Sequence, residues 1–167
     1  PKHTALVTVL YQNFDAALRD ATELLKAKPT SIETIDSRVF ALAKNDIIWH
    51  SVSDFFPPVD DQIAGINLVE YTAETEADLN EKIAQLTQAL ERAKGQDRKN
   101  CGFSVVNGHA NVNKIWAMRK KSVGLLGNVD GEARPIPFVE DTCVPPENLA
   151  DFIGEFRALL DSHKLQY

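Results

Sequence analysis

The stretch Gly65–Gly95, GINLVEYTAETEADLNEKIAQLTQALERAKG, decides how this chain folds. GINLVEYTA (Gly65–Ala73) alternates apolar and polar residues, the pattern of a half-buried strand. Thr75 then caps a long helix with Leu79, Ile83, Leu86 and Leu90 on one face, ending near Gly95. The same order stands earlier. HTALVTVLY (His3–Tyr11) is rich in β-branched and aromatic residues and reads as a buried strand. Asn13 caps a helix whose apolar residues fall at Phe14, Ala17, Leu18, Ala21, Leu24 and Leu25; Lys26 and Lys28 suit its negative end and Pro29 stops it.

SIETIDSRV (Ser31–Val39) reads as another strand, followed by a helical turn and an irregular segment through IIWHSVSDFFPP (Ile47–Pro58). CGFSVVNG (Cys101–Gly108) is a further short strand, and a helix is expected from about Asn111 to Leu126. Pro146 suits a first helical turn, ahead of an apolar stripe at Leu149, Phe152, Ile153, Phe156, Leu159 and Leu160. Two successive β-α-β units predict an α+β, ferredoxin-like sandwich: a mainly antiparallel sheet, helices packed on one face, and extra helices at the C-terminal end.

A chain of 167 residues, 44% hydrophobic and 25% charged, suits one domain with a well-formed core, so residues 1–167 are read as a single unit. A formal charge of −6 leaves no surplus of Lys and Arg to neutralise phosphates, which argues against a nucleic-acid partner. No run of residues is apolar enough for a transmembrane span. Cys101 and Cys143 stand 42 positions apart without a CxxC, so neither a metal site nor a disulfide scaffold is expected from this chain. Lone cysteines fit a reducing cytoplasm, with buried packing as their expected role. The chain begins at Pro1 on a strand approach and stops at Tyr167 just after a helix, which suggests a piece of something longer.

Chemistry is sought first in NVNKIWAMRKKSVGLL (Asn111–Leu126). Val112, Ile115, Trp116, Val123 and Leu126 share a helical face, and Arg119 falls on that face, while Lys120 and Lys121 point towards solvent. A guanidinium among apolar neighbours requires an anion. Either Glu140 or Asp141 supplies it as a structural pair, or a ligand's carboxylate or phosphate does, gripped bidentately by the arginine fork. In FVED (Phe138–Asp141) strand alternation sends one acid to each face, either into water or towards a ligand. His50 has no identifiable partner, lone His109 reads as a loop residue rather than a base, GLLGNVDGEA (Gly124–Ala133) matches no phosphate-binding loop, and no GxSxG occurs.

IWAMRKKSVGLLGN (Ile115–Asn128) followed by RPIPFVEDTCVPPENLADFIGEF (Arg134–Phe156) resembles the C-terminal, substrate-side cap domain of FAD-linked oxidases of the vanillyl-alcohol oxidase type. It is most similar to their D-lactate and D-2-hydroxyglutarate dehydrogenase branch. Phe14–Val39 and Gly65–Leu86 fit the same run of elements, so the resemblance covers essentially the whole chain. The wording of FVEDTCVPPE (Phe138–Glu147) is similar to large bacterial versions that fuse the flavin part to an iron–sulfur part.

The resemblance implies that a small 2-hydroxy acid gives its C2 hydrogen to a flavin held mainly by a separate N-terminal domain of the same chain. Arg119, the arginine of a WxxR motif, would hold the substrate carboxylate, Arg134 would add a second cation, and Glu140 and Asp141 would orient these cations or line the cleft. FAD, an iron–sulfur cluster and a divalent metal would all belong to the parent protein, and none to this piece. The family's histidine-containing metal and base motif is not found within these residues. The piece alone is therefore expected to hold no FAD tightly and to turn over nothing. The implied setting is the cytoplasm, with a peripheral association of the parent with the respiratory membrane left open. The competing reading is a non-catalytic ferredoxin-like ligand-binding or interaction module.

Overall fold

The computed structural model describes residues 1–58, 62–97, 99–125 and 142–165. Four strands, β1 (His3–Tyr11), β2 (Ser31–Asp36), β3 (Gly65–Ala73) and β4 (Gly102–Asn107), form one sheet in the order β2-β3-β1-β4. Every neighbouring pair is antiparallel. This is the ferredoxin-like arrangement that two interleaved β-α-β units require, and the expected α+β class holds.

Helices α1 (Phe14–Leu24) and α3 (Glu76–Ala93) begin where the sequence places them. Asn13 accepts a hydrogen bond from the Ala16 amide at 3.1 Å, and Thr75 one from the Asp78 amide at 3.2 Å, each satisfying an otherwise unpaired first-turn N–H. Both helices pack on the face of the sheet carrying Ala5, Val7, Val9, Tyr11, Val69 and Tyr71, where Leu24, Leu79, Ile83, Leu86 and Leu90 meet them. At about 1.5 to 3 kcal/mol for each large side chain taken out of water, this layer supplies much of the driving force for folding.

The opposite face is covered as well. Leu6, Leu10, Ile66, Leu68 and Val106 lie beneath α2 (Ser37–Lys44), two 3₁₀ turns (Ile47–Ser51 and Ser53–Phe55) and α4 (His109–Leu125). The Trp49 ring sits 5.3 Å from that of Phe40 and 5.2 Å from that of Phe56, closing the layer under the 3₁₀ turns. So β1 is buried on both sides, which explains why HTALVTVLY is mostly apolar and β-branched rather than alternating. For the same reason β3 is mostly buried, not half-buried as its alternation suggests: the polar Asn67 is itself in the interior. It donates to the Ala17 carbonyl at 2.9 Å and accepts from the Thr34 hydroxyl at 2.7 Å, so its burial costs little.

Strand β2 ends at Asp36, short of the expected Val39, because the Asp36 carboxylate accepts from the Val39 amide at 2.9 Å and starts α2. A 3₁₀ turn, Pro146–Asn148, leads into α5 (Leu149–Ser162), which packs outside α1 rather than on the sheet. Its stripe is therefore only partly covered: Leu160 is buried, Phe152 and Phe156 are half-buried, and Leu159 is 57% exposed. Cys101 is half-buried but Cys143 is exposed, so buried packing does not describe Cys143. Among the described residues no helix is long and apolar enough to cross a membrane.

Candidate functional site

Helix α4 presents Val112, Ile115, Met118 and Ser122 to the sheet, all essentially inaccessible. This stripe is rotated from the expected one: Met118 and Ser122 belong to it, Arg119 lies at its border, and Val123 is 43% exposed. Ser122 keeps its hydroxyl satisfied by donating to the Met118 carbonyl at 2.8 Å. Trp116, also at the border, donates its indole N–H to Glu70 on β3 at 3.4 Å. Thr4 and Ser31 donate to the same carboxylate at 3.5 and 3.3 Å. The Trp116–Glu70 contact ties the helix to the sheet one turn before Arg119.

Arg119 then reaches an acid that sequence reasoning did not name. Its Nε donates to Glu33 Oε1, and the two side chains are 39% and 29% exposed, a half-buried pair at a surface opening. Glu33 sits on edge strand β2, opposite Leu68 of β3 and two residues from Ile35, so it faces α4. A cue existed in the period-2 pattern of SIETID, which puts Glu33 on the same side as Ile35. What the sequence could not supply was the sheet order that brings β2 beneath the C-terminal half of α4. Arg134, Glu140 and Asp141 lie outside the described residues. Lys121, expected in solvent, pairs with Asp46 at 2.7 Å. That ion pair, with the Ile48 amide, holds the Asp46 carboxyl below its usual range.

The Arg119–Glu33 pair lines a cleft of about 220 Å³ together with Phe14, Asp36, Val39 and Val123. Phe14 and Asp36 also line a larger neighbouring cleft of about 630 Å³ that reaches Arg38, Arg157 and Asp161. Arg157 stacks over the Phe14 ring with its guanidinium carbon 4.7 Å from the centroid. An arginine carries five N–H donors in a planar fork. Among the described residues Arg119 meets a carboxylate through its Nε alone, and its terminal nitrogens meet none.

These clefts do not fit a resident flavin. The larger one sets Asp36 and Asp161 against Arg38 and Arg157, which is no apolar slot for a tricyclic ring. Nor do the described residues contain a group of three His, Cys, Asp or Glu side chains able to hold a metal ion.

Comparison with known proteins gives one family and several close relatives. The family model described as "FAD linked oxidases, C-terminal domain" matches residues 1–167. A D-2-hydroxyglutarate dehydrogenase of Escherichia coli is 50% identical over 169 aligned residues, covering 100% of this chain and 17% of the relative. The enzymes of the same name from Haemophilus influenzae and Pseudomonas putida are 48% and 50% identical, and each is matched over 16% of its length. This chain thus spans about a sixth of the length of these relatives.

Proposed function

Because the chain belongs to the C-terminal domain family of the FAD-linked oxidases, we propose that it is the substrate-side domain of an FAD-dependent dehydrogenase that oxidises a D-2-hydroxy acid. The observation that carries this reading is a half-exposed arginine on the rim of a cleft, with its terminal nitrogens unclaimed by any carboxylate among the described residues. At this identity over the whole chain, the relatives' substrate class, 2-hydroxyglutarate, is the first to test. Arg119 binds and orients the substrate carboxylate. Arg134 adds a second positive group, and Glu140 and Asp141 orient the cations or line the cleft.

A bidentate arginine–carboxylate grip combines charge with a fixed plane, so it orients the substrate as well as holding it. Tethering by Trp116 to Glu70 fixes the helical turn from which Arg119 projects, which limits the freedom lost when substrate binds. FAD itself, with any iron–sulfur cluster or divalent metal, is held by the rest of a full-length polypeptide. Residues 1–167 act as a single substrate domain within it.

The Glu33 pair also suits the other reading, a non-catalytic module in which Arg119 is purely structural. Partial exposure at a cleft favours the substrate role, since a ligand carboxylate has to reach the guanidinium from solvent. In a polypeptide of the relatives' full length that carries this chain, Arg119→Met should lower kcat/KM for D-2-hydroxyglutarate by about 100-fold or more with flavin content unchanged. Unchanged kinetics would leave only the structural role.

A further inference from the structure

We propose that Glu33 is a built-in competitor for Arg119, a positioning residue that the substrate carboxylate must displace or share and that thereby sets affinity for 2-hydroxy acids. This rests on Arg119 being the carboxylate clamp proposed above. Three observations carry it beyond that assignment. Glu33 already occupies the Nε edge of the guanidinium. Both partners are partly open to water at the rim of the same cleft, so the contact is exchangeable rather than sealed. Asp36 lines that cleft three residues along the chain, so an arriving anion meets negative charge as well as the arginine.

The consequence follows from charge alone. Before substrate arrives, Arg119 and Glu33 neutralise each other. When a carboxylate docks on the terminal nitrogens of the fork, the site carries one excess negative charge, and the two acids repel across a single guanidinium. Retracting Glu33 into water relieves the repulsion at the cost of its ion pair. Either way the native acid makes binding weaker than Arg119 alone would allow, and it disfavours anions that cannot use both terminal nitrogens. Glu33 thus exchanges affinity for selectivity and for release of the product, which carries the same carboxylate.

The test is an equilibrium titration of the full-length flavoprotein with 2-oxoglutarate, a 2-oxo acid that binds without being oxidised. Glu33→Gln preserves the shape and the acceptor oxygen but removes the charge. It should bind about three- to fivefold more tightly than the native protein, the scale of breaking one half-exposed ion pair. Glu33→Thr, which suits a strand, should move affinity in the same direction. In an Arg119→Met background the gain should shrink to a small remainder, since no guanidinium remains for the two acids to compete over. If Arg119→Met weakens binding while both Glu33 variants bind no better than the native protein, the competitor role is wrong and the clamp survives. If the Glu33 variants tighten binding equally with and without Arg119, the effect does not pass through the arginine and the proposal also fails. If Arg119→Met leaves affinity unchanged, the clamp itself is refuted.

Discussion

Replacing Tyr11 by Phe removes one hydroxyl from the buried end of β1, under the helices. Tyr11 is fully buried and donates to Asp20 Oδ2 at 2.8 Å; Asp20 is 5% exposed, and Lys99 holds its other oxygen at 2.9 Å. The triad ties β1 to α1 and to the approach of β4. Hydrogen bonds to charged groups contribute about 1.5 to 3 kcal/mol when one partner is lost in the interior. The Lys99 contact stays in place, so the loss should fall near the middle, about 2 kcal/mol. With a urea m-value of about 2 kcal/mol per molar, the unfolding midpoint should drop by about 1 M at neutral pH. Trp49 and Trp116 provide the fluorescence signal.

The pH dependence gives a second reading of the same bond. Burial first, and then the neighbouring Asp20 charge, push the Tyr11 phenol well above its ordinary value near 10. Since the folded-state value is the higher one, this stabilisation is complete below about pH 10 and is lost as pH rises above it. Tyr71, pushed up to about 12 by burial, adds to the same alkaline loss and remains in the variant. Tyr11→Phe should therefore flatten, without abolishing, the fall in stability above pH 10. A midpoint shift corresponding to less than about 0.5 kcal/mol, with an unaltered alkaline limb, would refute the reasoning.

Three further outcomes are expected. In Gly65→Ala the new methyl would lie 3.0 Å from the Ala17 Cβ and 3.2 Å from the Phe14 ring, forcing α1 off β3; thermal unfolding should report a loss of about 1 to 3 kcal/mol. Thr75→Ala removes the cap of α3 and should cost about 1 kcal/mol in urea unfolding, with the m-value unchanged. The Asp46–Lys121 contribution is present above the ordinary aspartate value and is lost as pH falls through the depressed one, so acid unfolding below about pH 4 should begin at higher pH in Lys121→Met than in the native protein.

The two α-β halves were legible because their signals are local. Asn13 and Thr75 cap the residues that their positions predict, and GINLVEYTA begins and ends as β3 does. What was illegible depended on distant packing. Nothing within SIETIDSRV says that Asp36 will turn its carboxylate on the Val39 amide and end the strand, because Thr34, Ile35 and Val39 all favour extended structure. Half of the second helical layer, beside α4, comes from a segment between β2 and β3 that has no strong period. The need of Arg119 for an anion could be read from its helical position. Its nearest acid could not, since Glu33 lies 86 positions away and meets it only through the order of strands in the sheet.

The central claim is that Arg119 takes hold of a substrate carboxylate, and a crystal structure of the full-length enzyme with bound D-2-hydroxyglutarate or 2-oxoglutarate measures it directly. The account predicts a ligand carboxylate about 2.7 to 2.9 Å from the terminal nitrogens of Arg119, with Glu33 displaced or sharing the fork. A ligand bound elsewhere, with Arg119 still closed on Glu33 alone, would contradict it.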